Sequence, residues 1–166
     1  MDVAITVTDA VESATSVAFA KMLEASFTYR RIESETFTST QPQAILDLSS
    51  KEASGSDFIR NLSEGSDDLQ FHIDVQTFES PTESSDFIIV GAPAVISKEL
   101  QSVLKESLDL FSEATSRDME YNNIYPSTYS ALVLRVPTIT ILVNENSVDL
   151  YRAAADEVAE IVENYE

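Results

Sequence analysis

An α+β domain, with a mainly antiparallel or mixed sheet covered on one face by about three helices, is the fold the sequence predicts. Three observations predict it. Residues 69–78 alternate with a period of two, Leu69, Phe71, Ile73 and Val75 on one side and Gln70, His72, Asp74 and Gln76 on the other. Residues 138–143 form a run rich in β-branched side chains, which suit a pleated, packed surface. Val148, Tyr151, Ala155, Val158, Val162 and Tyr165 recur at steps of three and four, a stripe down one helix face opposite Asp149, Arg152, Asp156, Glu160 and Glu163. The early strands lack intervening helices, which argues against a doubly wound parallel sheet.

The remaining elements follow in chain order. Val3, Ile5 and Val7 alternate through a short strand. Asp9 and Glu12 stand at capping-box spacing, so a helix is expected to about Ala25, with Val11, Ala14, Ala18, Met22 and Ala25 on its buried face. Residues 27–37 read as a strand whose middle is charged (Arg31, Glu33, Glu35), hence an edge or a hairpin arm, with residues 44–48 as its partner. Residues 51–68 are polar and anchored only by Phe58, Ile59 and Leu62, a short helix between loops. Residues 86–90 form a short buried strand ended by Gly91-Ala92-Pro93. Ser97 then caps a helix that places Leu100, Leu104, Leu108 and Phe111 on one face and fades near Ser116. A loop carrying Tyr121 and Tyr125 leads to the alternating run 129–134, and Asn144 to Ser147 break the last strand and cap the last helix. At 166 residues a single domain, 1–166, is expected, with protruding arms around 27–48 and 76–86.

Charge is the informative bulk property. Asp and Glu number 29 against 10 Lys and Arg, a formal net charge of -19. Such a chain repels itself at low salt, and molar salt, with a Debye length of roughly 3 Å, removes most of that repulsion. Dispersed acid with little Lys resembles the proteins of extreme halophiles. The same charge excludes direct nucleic-acid binding, which needs Lys and Arg against phosphates, and disfavours an anionic membrane. With no cysteine there is no disulfide and no thiolate site. No secretory leader and no run near the roughly 18 apolar residues of a spanning helix is evident, so a cytoplasmic setting is expected.

Chemistry is hard to place. The single histidine, His72, falls on the polar side of its strand and reads as solvent-facing. No Gly-x-Ser-x-Gly elbow is present, and three glycines (Gly55, Gly65, Gly91) support neither a Walker loop nor a dinucleotide fingerprint. Asp67-Asp68 and Glu83 with Asp86 are loop acids without the calcium-loop pattern. No catalytic residue, cofactor or metal is expected, and the chain reads as non-enzymatic. The candidate interface residues are Tyr121, Tyr125, Tyr129, Tyr151 and Tyr165, because tyrosine supplies large contact area at small entropic cost.

The order of elements (helix, hairpin, the strand Leu69-Gln70-Phe71-His72-Ile73-Asp74-Val75, then the 139–143 strand feeding an amphipathic helix) resembles that of tail-terminator or tail-completion proteins of tailed viruses, apart from the helix at the extreme C-terminus. The resemblance implies a structural protein of a halophilic tailed virus, assembled in the host cytoplasm into the virion. Its partners would be further copies in a homo-oligomeric ring at the head-to-tail joint and other virion proteins. The alternative is a small protein-binding or regulatory module of a halophilic cell.

Overall fold

A computed structural model describes residues 2–7, 13–38, 66–77, 86–91, 110–113 and 134–165. Within them lie β1 (Val3–Val7), α1 (Ala14–Tyr29), β2 (Ser34–Thr38), β3 (Phe71–Thr77), β4 (Phe87–Gly91), β5 (Phe111–Glu113), β6 (Thr138–Val143) and α2 (Tyr151–Asn164). The six strands form one mixed sheet in the order β2-β1-β3-β6-β4-β5. β2, β1, β3 and β6 run parallel to their neighbours, β4 is antiparallel to β6, and β5 is parallel to β4. The mixed sheet agrees with expectation. Its balance is parallel rather than antiparallel, and the described residues hold two α-helices, not three.

Burial explains the parallel balance. Alternate residues of β1, β3 and β6 (Val3, Ile5, Val7; Phe71, Ile73, Val75; Ile139, Ile141, Val143) meet Phe19, Leu23 and Phe27 of α1 and Tyr151, Ala155 and Val158 of α2 in one core. Their neighbours on the second face (Ala4, Thr6, His72, Asp74, Gln76, Thr138, Thr140, Leu142) are buried too. Strands covered on both faces are the setting of parallel sheets. The polar side of β3 is therefore interior, not solvated as its alternation suggests.

α1 differs from expectation at both ends and in its buried face. It starts after Ser13, which makes no side-chain cap bond, and runs to Tyr29, so Phe27 belongs to a helix and not to a strand. Its core side is Ser16, Phe19, Ala20, Leu23 and Phe27, while Ala14, Met22 and Ala25 are exposed. Two phenylalanines and a leucine at four-residue spacing bury far more apolar area than an alanine stripe, and that decides the rotation. Arg31 takes a left-handed conformation (φ 62) just beyond the helix. Ile32 N–H reaches Phe27 C=O (3.0 Å) and Arg31 N–H reaches Thr28 C=O (3.1 Å), a Schellman closure with arginine where glycine is usual.

Three other expectations change. Among the described residues β2 is an edge strand, as its charges indicate, and it pairs in parallel with β1 across α1. Phe111 lies in β5, its ring 5.2 Å from that of Phe87, instead of on a helix face. Ser147 does not cap a helix with its side chain: its hydroxyl bonds Asp86. The expected elements at 44–48, 51–65, 97–109 and 129–133, and the loop at 78–85, lie outside the described residues. Of the two expected arms, the described parts are the end of α1, β2 and the end of β3.

Candidate functional site

The second face of the sheet holds a fully buried polar ladder across β1, β3 and β6. Register sets Thr6 beside Asp74 and His72 beside Thr138. Thr6 Oγ1 donates to Asp74 Oδ1 at 2.6 Å and lies 2.7 Å from His72 Nε2. A threonine has one hydroxyl proton, and here the carboxylate takes it, so Thr6 accepts from His72 Nε2–H. His72 Nδ1 is then a bare acceptor, facing Thr138 Oγ1 at 3.3 Å. Gln76 Nε2 donates to Asp74 Oδ2 at 2.7 Å and completes the chain. Donors run from Thr138 through His72 and Thr6 to Asp74, and Gln76 donates to the same carboxylate from the other side. His72 is 0% exposed, and burial pushes its imidazole down to about 3. It is neutral, and both ring nitrogens are occupied.

A second polar group gathers where β1, β3 and β6 end. Thr77, last in β3, shares a 2.6 Å hydrogen bond with Ser13 at the head of α1. Past β6, Asn144 N–H bonds the Asp86 carbonyl at 3.1 Å, and Ser147 Oγ donates to Asp86 Oδ1 at 2.6 Å. Asn144 Oδ1 takes Asn146 N–H at 2.9 Å, and exposed Glu145 sits at the tip of that turn. The Tyr151 hydroxyl donates to Asn144 C=O at 3.0 Å. Burial raises its pKa above the ordinary 10.0, a hydrogen bond with Thr15 opposes that, and the Glu145 charge adds to it. This edge therefore carries a half-buried, oriented carboxylate (Asp86) and an exposed one (Glu145), framed by hydroxyl and amide groups.

The tyrosines expected at an interface are not brought together by the described structure. Tyr121, Tyr125 and Tyr129 lie outside the described residues. Tyr151 is a core residue whose ring meets Phe19 edge-on at 5.6 Å and Phe87 at 6.0 Å. Tyr165, half-buried, packs edge-on against Phe71 at 5.1 Å. Tyr151 opens α2 and Tyr165 follows its last residue, so the 14 residues of the helix set them about 20 Å apart at the α-helical rise. Asp67 and Asp68 are exposed in a 3-10 turn. Among the described residues no group of three or more His, Cys, Asp or Glu is placed to hold a metal. None of their helices is long and apolar enough to cross a membrane.

Sequence reasoning missed the ladder because it treated the polar side of β3 as solvent. The available signal was that Thr6, Thr138 and Thr140 repeat short hydroxyl side chains at matching positions of the two flanking strands.

No protein-family model matches the sequence, and neither does any curated protein. Solved structures share its fold. A metallo-carboxypeptidase from Burkholderia cenocepacia superposes over 98% of the chain with a TM-score of 0.62 and 11% identity. The chain spans 55% of that enzyme's length. An N-acetylmuramoyl-L-alanine amidase of Nostoc punctiforme aligns over 99% of this chain and 96% of its own, with a TM-score of 0.51 and 8% identity. At such identities the likeness is one of fold. It corrects the resemblance to tail-terminator proteins, which rested on the order of elements. The non-enzymatic virion-assembly role falls with it, since the structures that share this fold are hydrolases, and the binding-module alternative gains no support in its place.

Proposed function

We propose that this chain is a hydrolase domain for amide bonds, with its reactive site at the carboxyl edge of β1, β3 and β6. The observation that carries the reading is the shared fold over 98% of the chain with an enzyme that cleaves such bonds. In open sheets of largely parallel strands, ligands are taken outside the carboxyl ends, where neighbouring connections leave to opposite sides. Here that point falls between β1, which continues to β2 on one side, and β3, which continues across β6 to β4 on the other. Amide hydrolysis needs a group that takes a proton from the attacking water and returns it to the departing nitrogen as the C–N bond breaks. Asp86 is assigned that role: its carboxylate is held in place by Ser147 at the edge.

The carboxypeptidase is a metalloenzyme. Catalytic zinc is commonly held by two or three histidines, with a carboxylate completing the two-histidine set. This chain does not fit that donor set. It has one histidine and no cysteine. That histidine is buried near the amino end of β3, on the second face, with both nitrogens engaged in the ladder. No step is therefore assigned to a histidine-held metal.

The test is amine release from a peptide and from an N-acetylmuramoyl-alanine substrate, in molar salt. Release from one of them is expected, with a fall of about 100-fold or more in Asp86→Asn, the size of effect typical of a lost general base. An intact melting midpoint in the variant confines the effect to chemistry. Silence toward both substrates, or a full rate in the variant, would overturn the reading.

A further inference from the structure

Between the outer faces of α1 and α2 lies a groove of about 700 Å³, on the solvent side of the helix layer and apart from the strand ends. Met22 and Tyr29, 42% and 85% exposed, supply an apolar wall. Arg30 and Arg152, two of the chain's 10 basic residues, face the same space. In a chain of net charge -19 that pairing of cations is unexpected, and their donors are underused. Arg30 Nε–H is buried without an acceptor among the described residues. Its other contacts are long, 3.4 Å to exposed Glu163 and 3.5 Å to the Asp156 carbonyl. Arg152 makes no ion pair with the described residues. Asp156, the acid in the lining, commits one carboxylate oxygen to Ser26 Oγ at 2.6 Å.

We infer that this groove binds a small monocarboxylate with an apolar body. A guanidinium offers paired N–H donors that match a planar carboxylate, while the Arg30–Glu163 contact, long at 3.4 Å and with Glu163 exposed, is weak enough to exchange. The volume suits a drug-sized molecule. The whole-chain field ranks the anions: polyanions and dianionic phosphate are repelled in proportion to their charge, so among anions a single negative charge on an apolar body loses least. The inference does not depend on the hydrolase reading.

Isothermal titration of the chain with phenylbutyrate, its neutral amide and inorganic phosphate tests it. Phenylbutyrate is expected to bind, with the amide and phosphate about tenfold weaker or worse, the loss of a charge-assisted contact. Arg152→Gln, at an exposed position that the fold does not need, is expected to lose tenfold or more, and Arg135→Gln nothing. No phenylbutyrate binding, equal binding of acid and amide, phosphate binding as tight as phenylbutyrate, or wild-type affinity in Arg152→Gln each overturns it.

Discussion

Acidification should destabilise this protein through one residue. His72 is neutral in the fold, with its pKa pushed by burial from 6.5 to about 3, whereas in the unfolded chain it regains its ordinary value. Below the unfolded pKa the unfolded state binds a proton that the folded state refuses, so stability falls as pH falls, by up to about 1.4 kcal/mol per pH unit. Integrating from about pH 7 to about pH 5 gives a loss of about 2 kcal/mol, and the loss levels off only near the folded value. Gln at position 72 can keep both ladder bonds, donating to Thr6 and accepting from Thr138, but it cannot titrate. His72→Gln is therefore expected to lose about 1 kcal/mol near neutrality, from imperfect geometry, and to lack the histidine's share of the pH slope. Denaturant unfolding of both proteins at the two pH values, in fixed molar salt to suppress carboxylate repulsion, measures the difference. Equal pH slopes in wild type and variant would refute a buried, neutral His72.

Four further outcomes follow from the same contacts. Asp74→Asn replaces one of two acceptor oxygens, which take Thr6 O–H and Gln76 N–H, with a donor, and should lose about 2–3 kcal/mol by denaturant unfolding; an unchanged midpoint would remove the carboxylate from the ladder. Arg31→Gly relieves a side chain held at φ 62 and should add about 0.5–1 kcal/mol to the unfolding free energy measured with denaturant. Phe19→Ala empties the ring cluster with Phe87 and Tyr151 and should lose about 3–5 kcal/mol, with less if the core collapses into the space. Raising ionic strength from about 0.01 M to about 1 M shortens screening from roughly 30 Å to 3 Å, and with a net charge of -19 the thermal midpoint should climb; a flat profile would show the repulsion to be negligible.

Much of the sheet could be read from the sequence, because β-branched runs report strands directly. β1, β3, β4 and β6 lie where alternation and apolar runs place them, and the stripe of α2 holds at Tyr151, Ala155, Val158 and Val162. It fails at its head, where Val148 is 61% exposed in a 3-10 turn. What could not be read depended on contacts distant in sequence. The rotation of α1 is set by the sheet it meets, so the alanine stripe misled. Strand direction is not encoded in period-two alternation, and β2 pairs in parallel with β1 across a helix whose end lies inside the expected strand. The polar face of β3 misled most, since alternation distinguishes two faces but does not say which is wet. Only the register that sets Thr6 beside Asp74 and Thr138 beside His72 reveals an interior hydrogen-bond chain there. The strand-edge site was hidden for a related reason: Asp86, Asn144 and Ser147 meet through the antiparallel β4–β6 pairing, 58 or more positions apart in sequence.

The sharpest test is the rate of amine release from whichever of the two substrates, peptide or N-acetylmuramoyl-alanine, the chain cleaves, after chelator stripping, in molar salt, before and after one equivalent of zinc. An amide hydrolase whose only histidine is locked inside its sheet should show a rate unchanged by either treatment. A rate abolished by stripping, restored by zinc and lost again in His72→Gln would contradict that account.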